Sequence, residues 1–245
     1  MLKELKPAVL MMLVLTVLTG FIYPAVITAI AQVAFRDQAN GSLIEVNGQV
    51  VGSRLIGQNF TKPEYFQPRP SSAGNGYDPT ASAGSNLGPT SAKLINGTTK
   101  KDEKNNEVAD FLGIKARIVH YCVDNGIAYD SSTPLSAFMD AQGNLDDVKL
   151  INAFNDQKAP LQFMPKTSIP ADAITGSASG LDPHISPANA QIQSARVAKA
   201  RGVSAEQVEQ LVSQHTEGRS LGVFGEPRVN VLELNLDLDQ RFPRK

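Results

Sequence analysis

The residues with chemical promise are few. Gly84-Ser85-Asn86-Leu87-Gly88-Pro89-Thr90 has the outward look of a phosphate loop. Such a loop cradles phosphate on backbone N–H groups, adds a lysine and opens a helix. This stretch has no lysine, and no helical pattern follows it. His120, His184 and His215 lie far apart and lack metal-ligand spacing. His120 and His215 fall on or beside apolar helical faces, the place of core or boundary histidines. His184 belongs to Ser177-Ala178-Ser179-Gly180-Leu181-Asp182-Pro183-His184-Ile185-Ser186-Pro187. There Asp182 suits a turn before Pro183, and Ser186 suits a helix cap. That local role explains most of the segment; contact of Asp182 or His184 with a partner or ligand is the alternative. There is no nucleophile elbow, HExxH pair or paired-cysteine motif. No catalytic residue and no metal site is therefore expected.

The elements around these residues begin with an anchor. Residues 8–35 carry no charge, between Lys3, Glu4 and Lys6 on one side and Arg36 and Asp37 on the other. A helix needs about 20 apolar residues to cross a bilayer. Gly20 and Pro24 interrupt the run but are tolerated in membrane helices, and a kink is expected at Pro24. A cleaved signal peptide ending near Ala29-Ile30-Ala31 is the alternative, but its apolar region is usually only about 7–15 residues. The basic flank, Lys3 and Lys6, places the N-terminus in the cytoplasm of a cell inner membrane and the domain after it outside, in the periplasm. Thr16, Thr19, Gly20, Pro24 and Thr28 could let other helices approach closely.

Beyond Arg36 there are 20 basic and 23 acidic residues, and no basic patch, so nucleic acid is not an expected partner. Cys122 is the single cysteine, which excludes an intrachain disulfide and reads as a small buried residue.

Residues 42–56 read as a β-hairpin turning at Asn47-Gly48. Residues 67–90 hold four prolines and four glycines. With Phe60, Tyr65 and Phe66 at their border and Tyr77 inside, they form either a fixed loop that lies on a partner or a floppy linker. Residues 100–110 are a charged, solvated stretch. Val108, Phe111, Leu112, Ile118, Val119 and Cys122 share one helical face, ended by Asn125-Gly126. Two short helices are expected within 130–157, one opened by Thr133-Pro134 and one after Asn144. Ser186-Pro187 opens a helix that Gly202 stops, and Ser204 with Gln207 makes a capping box before Val208, Leu211, Val212 and His215. Leu232, Leu234, Leu236 and Leu238 alternate with polar residues, the period of a half-buried strand. The expected fold class is α+β: one N-terminal transmembrane helix, then a single soluble domain with a β-hairpin, a C-terminal strand and several helices. The expected segments are a cytoplasmic N-terminus at 1–7, the span at 8–35 and the domain at 36–245.

An ordered set of motifs resembles the C subunit (KdpC) of the Kdp potassium-transporting ATPase. It runs from Thr19-Gly20-Phe21-Ile22-Tyr23-Pro24 through Ala39-Asn40-Gly41-Ser42-Leu43-Ile44 and Leu55-Ile56-Gly57-Gln58-Asn59-Phe60 to Tyr65-Phe66, Arg69-Pro70-Ser71, Tyr77-Asp78 and Gly84-Ser85-Asn86-Leu87-Gly88. It continues with Ala178-Ser179-Gly180-Leu181-Asp182-Pro183-His184-Ile185-Ser186-Pro187 and Arg196-Val197-Ala198-Lys199-Ala200-Arg201. It closes on Gly225-Glu226-Pro227-Arg228-Val229-Asn230-Val231-Leu232-Glu233-Leu234-Asn235-Leu236 and Leu238-Asp239. Residues 124–166 depart from the pattern and look inserted.

The resemblance implies a non-catalytic, single-span subunit that holds the potassium-translocating and ATP-hydrolysing subunits together. It also implies a catalytic-chaperone role that raises the ATP affinity of the hydrolysing subunit. On that second role, Ser179, Gly180, Gln193 and Arg196 are the nucleotide-contact candidates, with ATP as a transient ligand and no tightly bound cofactor. The charge flanks of the span set those residues across the membrane from cytoplasmic ATP, which favours coupling through the complex instead. Tyr65, Phe66, Arg69, Ser85, Asn86, Asp182 and His184 are the partner-contact candidates, and membrane lipid surrounds the span. The alternatives are a tethered periplasmic binding module unrelated to transport and a nucleotide-binding enzyme.

Overall fold

The computed structural model describes residues 2–243. Met1, in the expected N-terminal segment, and Arg244 and Lys245, at the expected end of the domain, lie outside them. The chain divides into two compact units, up to Leu55 and from Ile56 onward.

In the first unit, α1 (Leu2–Val17) and α2 (Tyr23–Ala34) are joined by a π turn, Leu18–Ile22. Together they give one helix, Lys3–Ala34, long and apolar enough to cross a membrane by length and composition. The π turn is the helix's answer to Pro24. Proline has no N–H to return to Gly20, and the Tyr23 N–H reaches five residues back to the Leu18 carbonyl. Next come α3 (Arg36–Ala39) and the hairpin of β1 (Leu43–Val46) and β2 (Gln49–Ser53). Asn47 and Gly48 both take positive φ, +53° and +77°, as a type I′ turn requires.

In the second unit, a long irregular segment leads to α4 (Ala92–Asn96), capped by Ser91. The charged stretch is a second hairpin, β3 (Thr98–Lys101) with β4 (Glu107–Phe111). Val108 and Phe111 thus belong to a strand, not to the helix that the sequence suggests. Gly113, extended at φ −70° and ψ 164°, separates them from α5 (Ile114–Asn125). Gly126 ends α5 in the left-handed conformation. Then come β5 (Tyr129–Ser131), a 3₁₀ turn at Leu135–Phe138 after Pro134, α6 (Asp147–Asn155) and β6 (Phe163–Pro165), which pairs with β5. The cap of α6 is Asp146, whose carboxylate accepts the Lys149 N–H, and Asp147 puts acid in the first turn as expected. Leu135, Phe138, Leu150, Phe154 and Leu161 pack on Ala116 and Val119 of α5 as one cluster.

The last part holds α7 (Ala171–Ile174), β7 (His184–Ile185), α8 (Pro187–Arg201), α9 (Ala205–Gln214), β8 (Thr216–Glu217), β9 (Arg228–Asn230) and α10 (Val231–Arg241). The expected stops hold: Ser186 caps α8, Gly202 ends it at φ +67°, and the Ser204–Gln207 capping box opens α9. β9 lies between β7 and β8 in an antiparallel sheet. The main core gathers Phe66, Ile185, Val197, Val208, Leu211, Val229, Leu234 and Leu238.

The expected C-terminal strand is a helix. Asn230 caps α10 by accepting the Glu233 N–H. Val231, Leu234, Asn235 and Leu238 are buried, the spacing of one helical face, while Leu236 is only half-buried. The alternating leucines mimic period two because an inward polar residue, Asn235, sits among them.

Candidate functional site

The segment 57–90 is not slack. It is held against α8, α10 and residues 175–182 by polar contacts that converge from distant parts of the chain. The first are two amide clamps on the backbone of residues 66 and 67. The Asn235 side chain accepts the Phe66 N–H and donates to the Phe66 carbonyl, both at 2.9 Å. Gln193 does the same for the next residue, accepting the Gln67 N–H at 2.7 Å and donating to the Gln67 carbonyl at 3.1 Å. A primary amide carries one acceptor and donors side by side, so it can stand in for a neighbouring β-strand. Asn235 and Gln193 are both 1% exposed, and the Phe66 ring is fully buried in the main core.

The polar row on α8 continues to either side. Asn189 Oδ1 accepts from Gln193 and from the Tyr121 hydroxyl, and Asn189 donates to Asp172. Burial pushes the Tyr121 hydroxyl well above its ordinary range, with the Asp172 charge adding to it. On the other side Arg196 reaches across the clamp. Nε donates to Asn125 Oδ1, Nη1 to the Pro63 and Tyr65 carbonyls, and Nη2 to Gln193 Oε1. Each guanidinium nitrogen already has an acceptor within the chain. A cleft of about 680 Å³ lies beside it, lined also by Pro63, Asp124, Lys199 and Ala200.

Further along, Arg69 Nη1 donates to Asp182 Oδ2 at 2.9 Å, and its other nitrogens to the Thr175 and Gly176 carbonyls. The Ser71 hydroxyl donates to the Gly180 carbonyl at 2.6 Å and accepts the Tyr77 N–H. Tyr77 has φ +58°, strained for a bulky side chain, and its hydroxyl points at the Arg69 and Asp182 carbonyls. Burial, and then the Asp182 charge, push that hydroxyl far above its ordinary range. Gly180 is held at φ +68°, and a Cβ there would lie 2.5 Å from the Ala83 carbonyl oxygen. Gly180→Ala should therefore cost about 1–2 kcal/mol from the backbone alone. With the clash added, thermal melting of the chain is expected about 5 °C or more below the parent.

These contacts sort the candidate residues. Ser179 and Gly180 lie with the 71–84 part of the loop, where Ser82 Oγ donates to the Ser179 carbonyl. Gln193 and Arg196 belong to the clamp on α8. The four nucleotide candidates thus form two groups, each engaged with the chain's own backbone. Of the partner-contact candidates, Phe66 is in the core, Arg69 and Asp182 pair with each other, and the His184 N–H donates to Asp182. The Tyr65 hydroxyl donates to Asp239 at 2.8 Å, and the Arg201 guanidinium lies over the Tyr65 ring. Ser85 and Asn86 are exposed. Along the anchor, Thr19 Oγ1 donates to the Leu15 carbonyl at 2.7 Å, and Gly20 sits in the π turn with open space around it. Thr16 lies in the last turn of α1, while Pro24 and Thr28 lie in α2. His120 and His215 each meet one aspartate from another helix, Asp147 at 2.6 Å and Asp237 at 2.8 Å.

Residues 5–115 and 136–240 match the family model described as K+-transporting ATPase, c chain. The chain belongs to the KdpC family. The stretch left out of that match, 116–135, overlaps the expected insertion only at its start. Among its relatives, the potassium-transporting ATPase KdpC subunit of Koribacter versatilis is 46% identical over 98% of this chain and 96% of that protein. The subunits of Mycobacterium tuberculosis and Beijerinckia indica are each 43% identical, over 97% and 99% of this chain and 98% and 96% of their own lengths. Asn189 and Asn235 were not among the candidates read from the sequence. The spacing of Asn189, Gln193 and Arg196 along α8 was the one available signal, a polar row on a face that also carries Ala190 and Val197.

Proposed function

We propose that the chain is the accessory subunit of an ATP-driven, high-affinity potassium uptake pump, and that it does no chemistry of its own. It holds the potassium-translocating and ATP-hydrolysing subunits together through its membrane helix and its second unit. The observation that carries this reading is family membership over nearly the whole length of the chain, joined to one helix able to span a bilayer. The helix sits in the inner membrane among lipid, with the N-terminus in the cytoplasm and the main domain in the periplasm. Lys3 and Lys6 support that orientation, because on the far side Arg36 is followed directly by Asp37.

Any rise in ATP affinity then comes from coupling between subunits, not from nucleotide held by this chain. The engagement of every Arg196 nitrogen within the chain supports this, since a phosphate would have to displace existing partners.

Two measurements test the reading. Gentle detergent extraction should bring two larger membrane proteins along with this chain, and purification of the chain alone would count against it. A Ser85→Cys variant in intact cells should react with a membrane-impermeant maleimide; reaction only after the membrane is opened would reverse the orientation. Ser85 is exposed, whereas Cys122 is buried and its thiol is pushed up to about 11, so the background is low.

A further inference from the structure

Between β8, which ends at Glu217, and β9, which begins at Arg228, the chain makes a loop whose apolar side chains point away from the domain. Leu221 is 90% exposed, Val223 67% and Phe224 65%. Clusters of this kind on a soluble surface mark interaction sites. The loop is also closed on itself by its own backbone. Ser220 and Phe224 exchange backbone hydrogen bonds at 2.8 and 2.9 Å, and the Gly222 and Val223 N–H groups bond back to Arg219 and Ser220. Gly222 and Gly225 supply left-handed turns. Leu221 also takes φ +53°, a conformation that Gly or Asn adopts readily and leucine does not. A strained residue whose side chain gains nothing within its own fold points to a use outside it.

We propose that the loop of residues 218–227 is a docking plug that seats Leu221, Val223 and Phe224 in an apolar pocket on another subunit of the pump. This rests on the reading of the chain as a pump subunit. Charge argues for a protein pocket over a lipid surface. Arg219 pairs with Glu226 and Arg228 with Glu217, each at 2.8 Å, so the base of the loop is neutral and offers no net attraction to anionic lipid. Size argues against a second copy of this chain. A stable two-protein interface buries about 800 Å² on each partner, far more than three side chains supply. The same small contact suffices on a subunit to which the membrane helix already holds this chain, because a second attachment within one complex forms at high effective concentration, an advantage that a free second copy lacks.

The test uses the assembled complex purified in mild detergent. With Phe224→p-benzoylphenylalanine, ultraviolet light should crosslink this chain to one of the larger subunits. In a second variant, Leu221→Asn, retention on the complex through detergent washes should fall about tenfold, the scale of losing a buried anchor. Its melting temperature should stay the same or rise, because asparagine relieves the left-handed strain. A crosslink to lipid or to a second copy overturns the plug. So does unchanged retention of Leu221→Asn while the parent chain co-purifies normally. If the parent chain does not co-purify at all, the pump-subunit reading falls and takes the plug with it.

Discussion

Asn235→Ala is expected to lower the stability of the chain by about 2–5 kcal/mol, although the residue is neither charged nor apolar. The amide closes both backbone groups of Phe66, and removing it leaves a buried N–H and a buried carbonyl without partners. Each such orphan costs roughly 1–3 kcal/mol. Water cannot easily repair the loss, because Asn235 is 1% exposed and Phe66 is fully buried. Full-length protein in detergent should melt about 10 °C below the parent. Gln193→Leu removes the second clamp, but Gln67 is only half-buried, so a smaller drop is expected. A shift under about 2 °C for Asn235→Ala would mean that residues 66–67 are not held by these amides.

The pair of variants also separates two origins for an effect on ATP. Gln193 is a nucleotide candidate by resemblance; Asn235 is not. If ATP affinity in the assembled pump responds to how firmly the loop is held, both substitutions lower it. If the Gln193 amide touches nucleotide, only Gln193→Leu does. Direct measurement of ATP binding by the complex decides between them.

Local physics explains what could be read beforehand. The boundaries of α8 and α9 were legible because caps act within four residues: Ser186 before Pro187, Gly202 at positive φ, Ser204 with Gln207. The turn at Asn47-Gly48 was legible for the same reason. The clamps were not, because Phe66 and Asn235 are far apart in sequence, and composition tells that an amide is polar without telling whom it meets. The same gap left the 67–90 segment open between a fixed loop and a floppy linker. What fixes it is Arg69 on the Asp182 carboxylate, Ser71 on the Gly180 carbonyl and Tyr77 on the Asp182 carbonyl, all long-range contacts. The reading of α10 as a strand failed on one residue. Leu232, Leu234, Leu236 and Leu238 suit period two only if Asn235 faces water, and it faces the core.

Arg69→Ala should cost about 2–4 kcal/mol at neutral pH, and the cost should shrink in acid. The guanidinium pairs with Asp182 and covers the Thr175 and Gly176 carbonyls, and both members of the pair are only about a quarter exposed. Burial by itself would raise the Asp182 carboxyl. The His184 side chain and N–H, and then Arg69, outweigh it and hold the carboxyl below its ordinary 3.8. A carboxyl depressed in the folded state stabilises the fold above its unfolded pKa, and that contribution is lost as pH falls through the folded value. Without Arg69, burial pushes the group back up, so the variant gains less from ionised Asp182 and loses less on acidification. Urea unfolding of the full chain should give the full difference at pH 7 and a smaller one near pH 3. What survives in acid is the share owed to the two uncovered carbonyls. Asp182→Asn should flatten the same part of the profile with Arg69 still in place. A difference between parent and Arg69→Ala that stays constant from pH 7 to pH 3 would show that Asp182 is not what Arg69 stabilises, and that the loop is held by its carbonyl contacts alone.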